Sequence, residues 1–156
     1  WDRLVLTPVE LISAAKSSLA IFGIMFLLNL FAVKPFELAD FLAYTGAVIT
    51  GTVLTPLLLP VIPGRAFTWK GWLLGVVWAL GFNWCIDWFT PEFLLSSIGY
   101  LLVLPALSAY WAMNFTGSST YTSFSGVVKE MKIAVPLISV SLMIGIILLL
   151  INSMWM

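Results

Sequence analysis

The sequence predicts an all-α fold, a polytopic transmembrane bundle of five helices, from three observations. Hydrophobic residues fill 62% of the 156 positions and charged residues only 9%, a balance outside that of soluble globular domains. The apolar residues gather into runs of about 20, the length a helix needs to cross the hydrocarbon core. Between the runs stand Thr-Pro and Pro-Glu pairs, the residues that start and stop helices.

The first start is Thr7-Pro8-Val9-Glu10, with Thr7 as N-cap, Pro8 as first helical residue and Glu10 closing a capping box. It predicts a span over about 14–33, ended by Lys34-Pro35-Phe36-Glu37. A second span is expected over 41–61, with Pro56 and Pro60 removing backbone donors and bending or breaking it near its far end. A short polar turn from Pro63 to Lys70 leads to a third span over 72–88. Its Gly71, Gly75 and Ala79 recur every four residues, a stripe for close helix approach in lipid, either within one bundle or between copies. Trp69, Trp72, Trp84 and Trp88 near its ends read as interfacial anchors. Thr90-Pro91-Glu92 starts a fourth span over 93–113, with Pro105 inside it. A fifth runs over 131–153 and contains Pro136, with Ser141 and Gly145 as a weaker small-residue pair.

Five spans put the two termini on opposite sides. Arg3, Lys16, Arg65, Lys70, Lys129 and Lys132 fall on the N-terminal side and only Lys34 on the other. That asymmetry places the N-terminus and the 114–131 stretch in the cytoplasm, and the C-terminus outside, in a multi-pass protein of the cell (inner) membrane. Glu37, Asp40, Asp87 and Glu92 gather on the outer side.

Composition excludes several chemistries. Seven basic and seven acidic residues cancel, so no nucleic-acid partner is expected. The single cysteine allows neither an internal disulfide nor a CxxC metal site, and the absence of histidine removes the commonest general base, metal ligand and haem ligand. No complete catalytic site is expected within this chain. Cys85 is a weak candidate for a soft metal ion and otherwise a small packed hydrophobe. Asp87, near the outer interface, is either solvated or an intramembrane functional carboxylate. Lys129-Glu130-Met131-Lys132 reads as a juxtamembrane helix start facing lipid head groups.

The most distinctive stretch lies between the fourth and fifth spans. Seven of the ten residues from Thr116 to Ser125 are Ser or Thr. Lipid offers no hydrogen bonds, so such a run needs water, protein or a polar cavity. It is either an ordinary polar loop or a docking surface built on Asn114, Thr116, Ser119, Thr120, Thr122 and Ser123. Asn114-Phe115-Thr116 also matches the N-glycosylation pattern, but its cytoplasmic placement argues against use.

Three segments carry a family resemblance: Arg3-Leu-Val-Leu-Thr-Pro-Val-Glu10, Met113-Asn-Phe-Thr-Gly-Ser-Ser-Thr-Tyr-Thr-Ser123 and Ser125-Gly-Val-Val-Lys-Glu-Met131. Together they resemble the membrane domain of the mercury-methylating corrinoid proteins, the HgcA family. The Asn-Phe-Thr-Gly-Ser-Ser-Thr stretch is also similar to a segment of corrinoid iron–sulfur proteins of acetyl-CoA metabolism. The resemblance implies a cytoplasmic cobalamin-binding domain upstream of Trp1, which passes a methyl group from cobalt to Hg(II). It also implies a ferredoxin-like iron–sulfur partner, HgcB, as electron donor. This chain would then be the membrane anchor and scaffold, with the 114–131 stretch facing the corrinoid domain or the partner. The family's cobalt-ligating cysteine sits in an Asn-x-Trp-Cys-Ala-x-Gly-Lys cap helix. Asn83-Trp84-Cys85-Ile86-Asp87 lacks the spacer and the Gly-Lys ending, so no catalytic role passes to Cys85. The contrasting expectation is a small transporter or channel-like subunit, with Pro56, Pro60, Pro105 and Pro136 breaking its helices and the hydroxyl stretch lining a gate.

Overall fold

The computed structural model describes residues 38–64, 66–86, 93–118 and 124–155, together with Ile12 and Lys16. The described residues are helical apart from the turn between Leu59 and Ala66 and the end of one helix at Ile86, without a strand among them. Helix α1 (Leu38–Ile49) passes through a π-helical stretch (Thr50–Leu54) into the short α2 (Thr55–Leu58); α3 (Phe67–Cys85), α4 (Leu94–Ser118) and α5 (Phe124–Trp155) follow. Three of these segments are long and apolar enough to cross a membrane: Leu38–Leu58, Leu94–Asn114 and Ser125–Asn152. The chain is a membrane protein by that criterion. The expected first span, over 14–33, lies outside the described residues apart from the exposed Lys16. The expected third span falls on α3, which is helical but not among the three, its sequence diluted by Lys70, Asn83 and four tryptophans.

Pro56 does not break its helix. A proline there withholds one N–H and crowds the carbonyl four residues back, and the chain answers by widening to π geometry just before it. The Thr55 N–H reaches the Thr50 carbonyl, five residues back. Threonine hydroxyls supply further bonds: Thr50 Oγ1 donates to Gly46 O at 2.7 Å, Thr52 Oγ1 to Val48 O at 2.7 Å and Thr55 Oγ1 to Thr50 O at 2.9 Å. All three threonines are buried, so in lipid these bonds satisfy groups that water cannot reach. The helix ends instead at Leu59–Val61, where Val61 and Ile62 N–H both donate to Leu58 O. Pro105 and Pro136 also sit inside unbroken helices. The expectation of four helix-breaking prolines is thereby corrected to one helix end, at Pro60.

Helix α4 is the axis of the bundle, with α1, α3 and α5 all packed against it. The Gly71–Gly75–Ala79 stripe is used within the chain. A Cβ on Gly71 would lie 2.3 Å from Ala112 Cβ, and one on Gly75 would lie 2.6 Å from Pro105 Cα. The backbones therefore meet closely enough for Ser108 Oγ to donate to Gly71 O at 2.8 Å. On the opposite face of α4, Gly99 meets Gly145 of α5, Ser141 Oγ donates to Leu102 O at 2.9 Å, and Asn152 Nδ2 donates to Ser96 Oγ at 2.6 Å. The core between α1, α3 and α4 is built on Ala43, Ala47, Ala79, Phe82 and Leu104. Trp78 lies over Gly46, where a Cβ would come within 1.9 Å of its ring, and its indole N–H donates to Ala43 O at 3.0 Å.

Candidate functional site at the lysine-bearing end

The polar contacts define two ends of the bundle. At one, Lys70 Nζ donates to Leu59 O at 2.6 Å, tying the start of α3 to the carbonyl that follows α2. Lys70 is buried, although its place in the sequence suggested an interfacial turn. The turn is in fact shorter, because α3 begins at Phe67. An ammonium on a helix-end carbonyl satisfies both groups and complements the helix dipole.

At the same end Glu130 of α5 reaches across to α3. Its Oε1 accepts from Thr68 N at 2.8 Å and from Thr68 Oγ1 at 2.6 Å. The N-cap residue, Ala66, has no side-chain oxygen to offer the first turn, so a carboxylate from 62 residues away performs the capping. Glu130 therefore faces the bundle, not the lipid head groups with its neighbours. Lys129 and Lys132 are exposed. Trp69 and Trp72, stacked at 5.3 Å between centroids and 15° between planes, mark this end, with Gly64 at φ 122° against the Trp69 ring.

The opposite end carries Asp40, which accepts from the Tyr100 hydroxyl and joins α1 to α4. Cys85 ends α3 on this side and is exposed. Among the described residues no group of three or more His, Cys, Asp or Glu could hold a metal ion. Asp87 and Trp88 lie outside the described residues.

The hydroxyl-rich stretch is less of a loop than its composition suggests. Helix α4 continues through Asn114 and Thr116 to Ser118, and α5 starts at Phe124. The described residues of the 114–131 region are thus helical. Ser119, Thr120, Thr122 and Ser123 lie outside the described residues, and Asn114 is half-buried on α4. The structure therefore brings Asn114 and Thr116 onto one helix end and leaves the other docking candidates unplaced. Sequence inspection missed Glu130, Thr68 and Lys70 as partners. The only signal was a helix beginning at Phe67 with no side-chain cap of its own.

No family model matches this chain, and no curated protein or solved structure is detectably similar to it.

Proposed function

We propose that this chain anchors and positions a cytoplasmic corrinoid-dependent domain that methylates Hg(II), with its lysine-bearing end as the docking face. The observation that carries this proposal is the place of the resembling segments. The described part of the first, residues 113–118, ends α4 where the second, Ser125–Met131, opens α5, with Met113 packed beside Ala134, and Glu130 within the second one caps α3. A rigid end is what a scaffold needs to hold a soluble domain in one orientation. Lys70, Lys129 and Lys132 share that end, and Asp40 lies at the other. That distribution supports a cytoplasmic placement of the docking face in the inner membrane.

Cobalamin itself does not fit the described residues. Among the described residues, the open cavity at this end, about 480 Å³, is lined by a single helix, α5, which gives a planar macrocycle one wall. In this proposal the cofactor, which supplies the methyl-carrying cobalt, belongs to the upstream domain. This chain contributes attachment and orientation, and the electron donor is the ferredoxin-like partner.

The test uses the native polypeptide in membranes, with and without residues 1–156. Corrinoid absorbance should persist in both forms, while Hg(II) methylation in cells should be lost only in the shortened one. Replacing Thr116, Thr120 and Thr122 together by valine should lower cellular methylation about tenfold without loss of membrane insertion, as expected when buried polar partners are left unpaired. A full polypeptide that copurifies without corrinoid would sink the proposal and leave transport as the function to test.

A further inference from the structure

One face of α5 remains unexplained by helix packing. Ser125, Val128, Lys129, Lys132 and Ile133 recur at the three- and four-residue spacing that puts side chains on one helical face. They line an open cavity of about 480 Å³. All five are exposed, and neither lysine forms an ion pair with a described residue. The acid between them, Glu130, is committed to Thr68. Two positive charges one turn apart are thus left uncompensated beside two branched apolar side chains.

The depth of this face is set by its surroundings. It lies at the start of the apolar Ser125–Asn152 segment, at the end marked by the Trp69–Trp72 stack, where aromatic rings favour the headgroup level. A lysine stem can lie along apolar surface while its ammonium reaches a phosphate. Val128 and Ile133 suit the first methylenes of an acyl chain.

We infer that this face binds the headgroup phosphate of an anionic phospholipid, with Lys129 and Lys132 as the paired cations and Val128 and Ile133 against the acyl chain. The inference rests on membrane embedding alone and stands whether or not the methyltransferase proposal does. Charge complementarity selects an anionic lipid over a zwitterionic one, and the apolar wall selects a lipid over a soluble anion.

The experiment reconstitutes the full chain in nanodiscs of phosphatidylcholine containing phosphatidylglycerol and counts retained lipid by native mass spectrometry. The parent should retain phosphatidylglycerol selectively. K129Q or K132Q should each weaken retention about fivefold, and the double variant about 25-fold, from the usual contribution of a lysine near an anionic surface. K129R/K132R should keep it. K16Q, which removes an exposed lysine that is not among the described residues lining this cavity, should also leave retention unchanged. If the double glutamine variant does not fold, as judged by helical circular dichroism, the single variants decide. Equal retention by parent and glutamine variants overturns the inference and returns the lysines to a protein partner. Displacement of the lipid by millimolar glycerol phosphate at constant ionic strength also overturns it, because the site would then belong to a soluble phosphate.

Discussion

Helices α4 and α5 make an instructive pair. Both are long and apolar enough to cross a membrane, yet half of the apolar stretch of α4 is buried and only 17% of that of α5 is. The more buried helix is the more polar one. Helix α4 presents Ser96, Ser97, Ser108, Ala106, Ala109 and Ala112 to its neighbours, whereas α5 turns Leu137, Met143, Ile147 and Leu150 outward. In water the order would be reversed. In lipid an isoleucine gains nothing by leaving the tails, so burial goes to the residues that allow close backbone approach or need a hydrogen-bond partner. Hydropathy thus locates the spans, and small and hydroxyl residues locate the interior.

The largest test of this contrast is at the small-residue stripe. Gly75→Leu puts a branched side chain where even a Cβ would sit 2.6 Å from the Pro105 backbone. It should cost about 3 kcal/mol or more, the upper range of overpacking, and lower the thermal midpoint in detergent sharply. Gly81→Leu on the same helix meets nothing within 4 Å and should change stability by at most about 0.5 kcal/mol. Equal effects at the two glycines would remove the distinction between packed and lipid-facing sides of α3.

A smaller effect is expected at the capping contact. Glu130→Gln and Thr68→Val, combined in a double-mutant cycle in detergent, should show a coupling of about 1–2 kcal/mol, in the range of a charge-assisted cap. Zero coupling would separate α5 from α3 at this end and make α5 an independent, lipid-facing element. The smallest effect belongs to Asn152→Ala, which removes the 2.6 Å bond to Ser96. A loss of about 0.6 kcal/mol is expected, the average for an interhelical hydrogen bond in a membrane. A loss several times larger would mean that polar contacts, not small-residue packing, hold α5 on α4.

Much of the architecture was legible. Apolar run lengths marked the three described segments that can cross a membrane, and the Gly71–Gly75–Ala79 spacing marked a packing face before any partner was known. The spacing could not say which helix would meet it, since Ala112, Ser108 and Pro105 lie on a separate span. Proline was the weaker guide. Pro56 signalled a disturbance, but the outcome depended on Thr50, Thr52 and Thr55, whose hydroxyls make the widened turn tolerable. Lys70 and Glu130 were misjudged for a related reason. A charge in a membrane protein reads as interfacial until a neighbouring helix supplies a carbonyl or an amide for it.

The sequence by itself determined that this protein is helical and membrane-embedded, with no histidine and a single cysteine. These follow from composition and local spacing, because backbone groups in lipid must bond within their own helix. Tertiary structure alone decided that, among the described helices, α4 is the axis and α5 lies at the edge, and that Glu130 caps a helix 62 residues away. Such pairings depend on which surfaces meet, and a one-dimensional pattern records the surface without its partner.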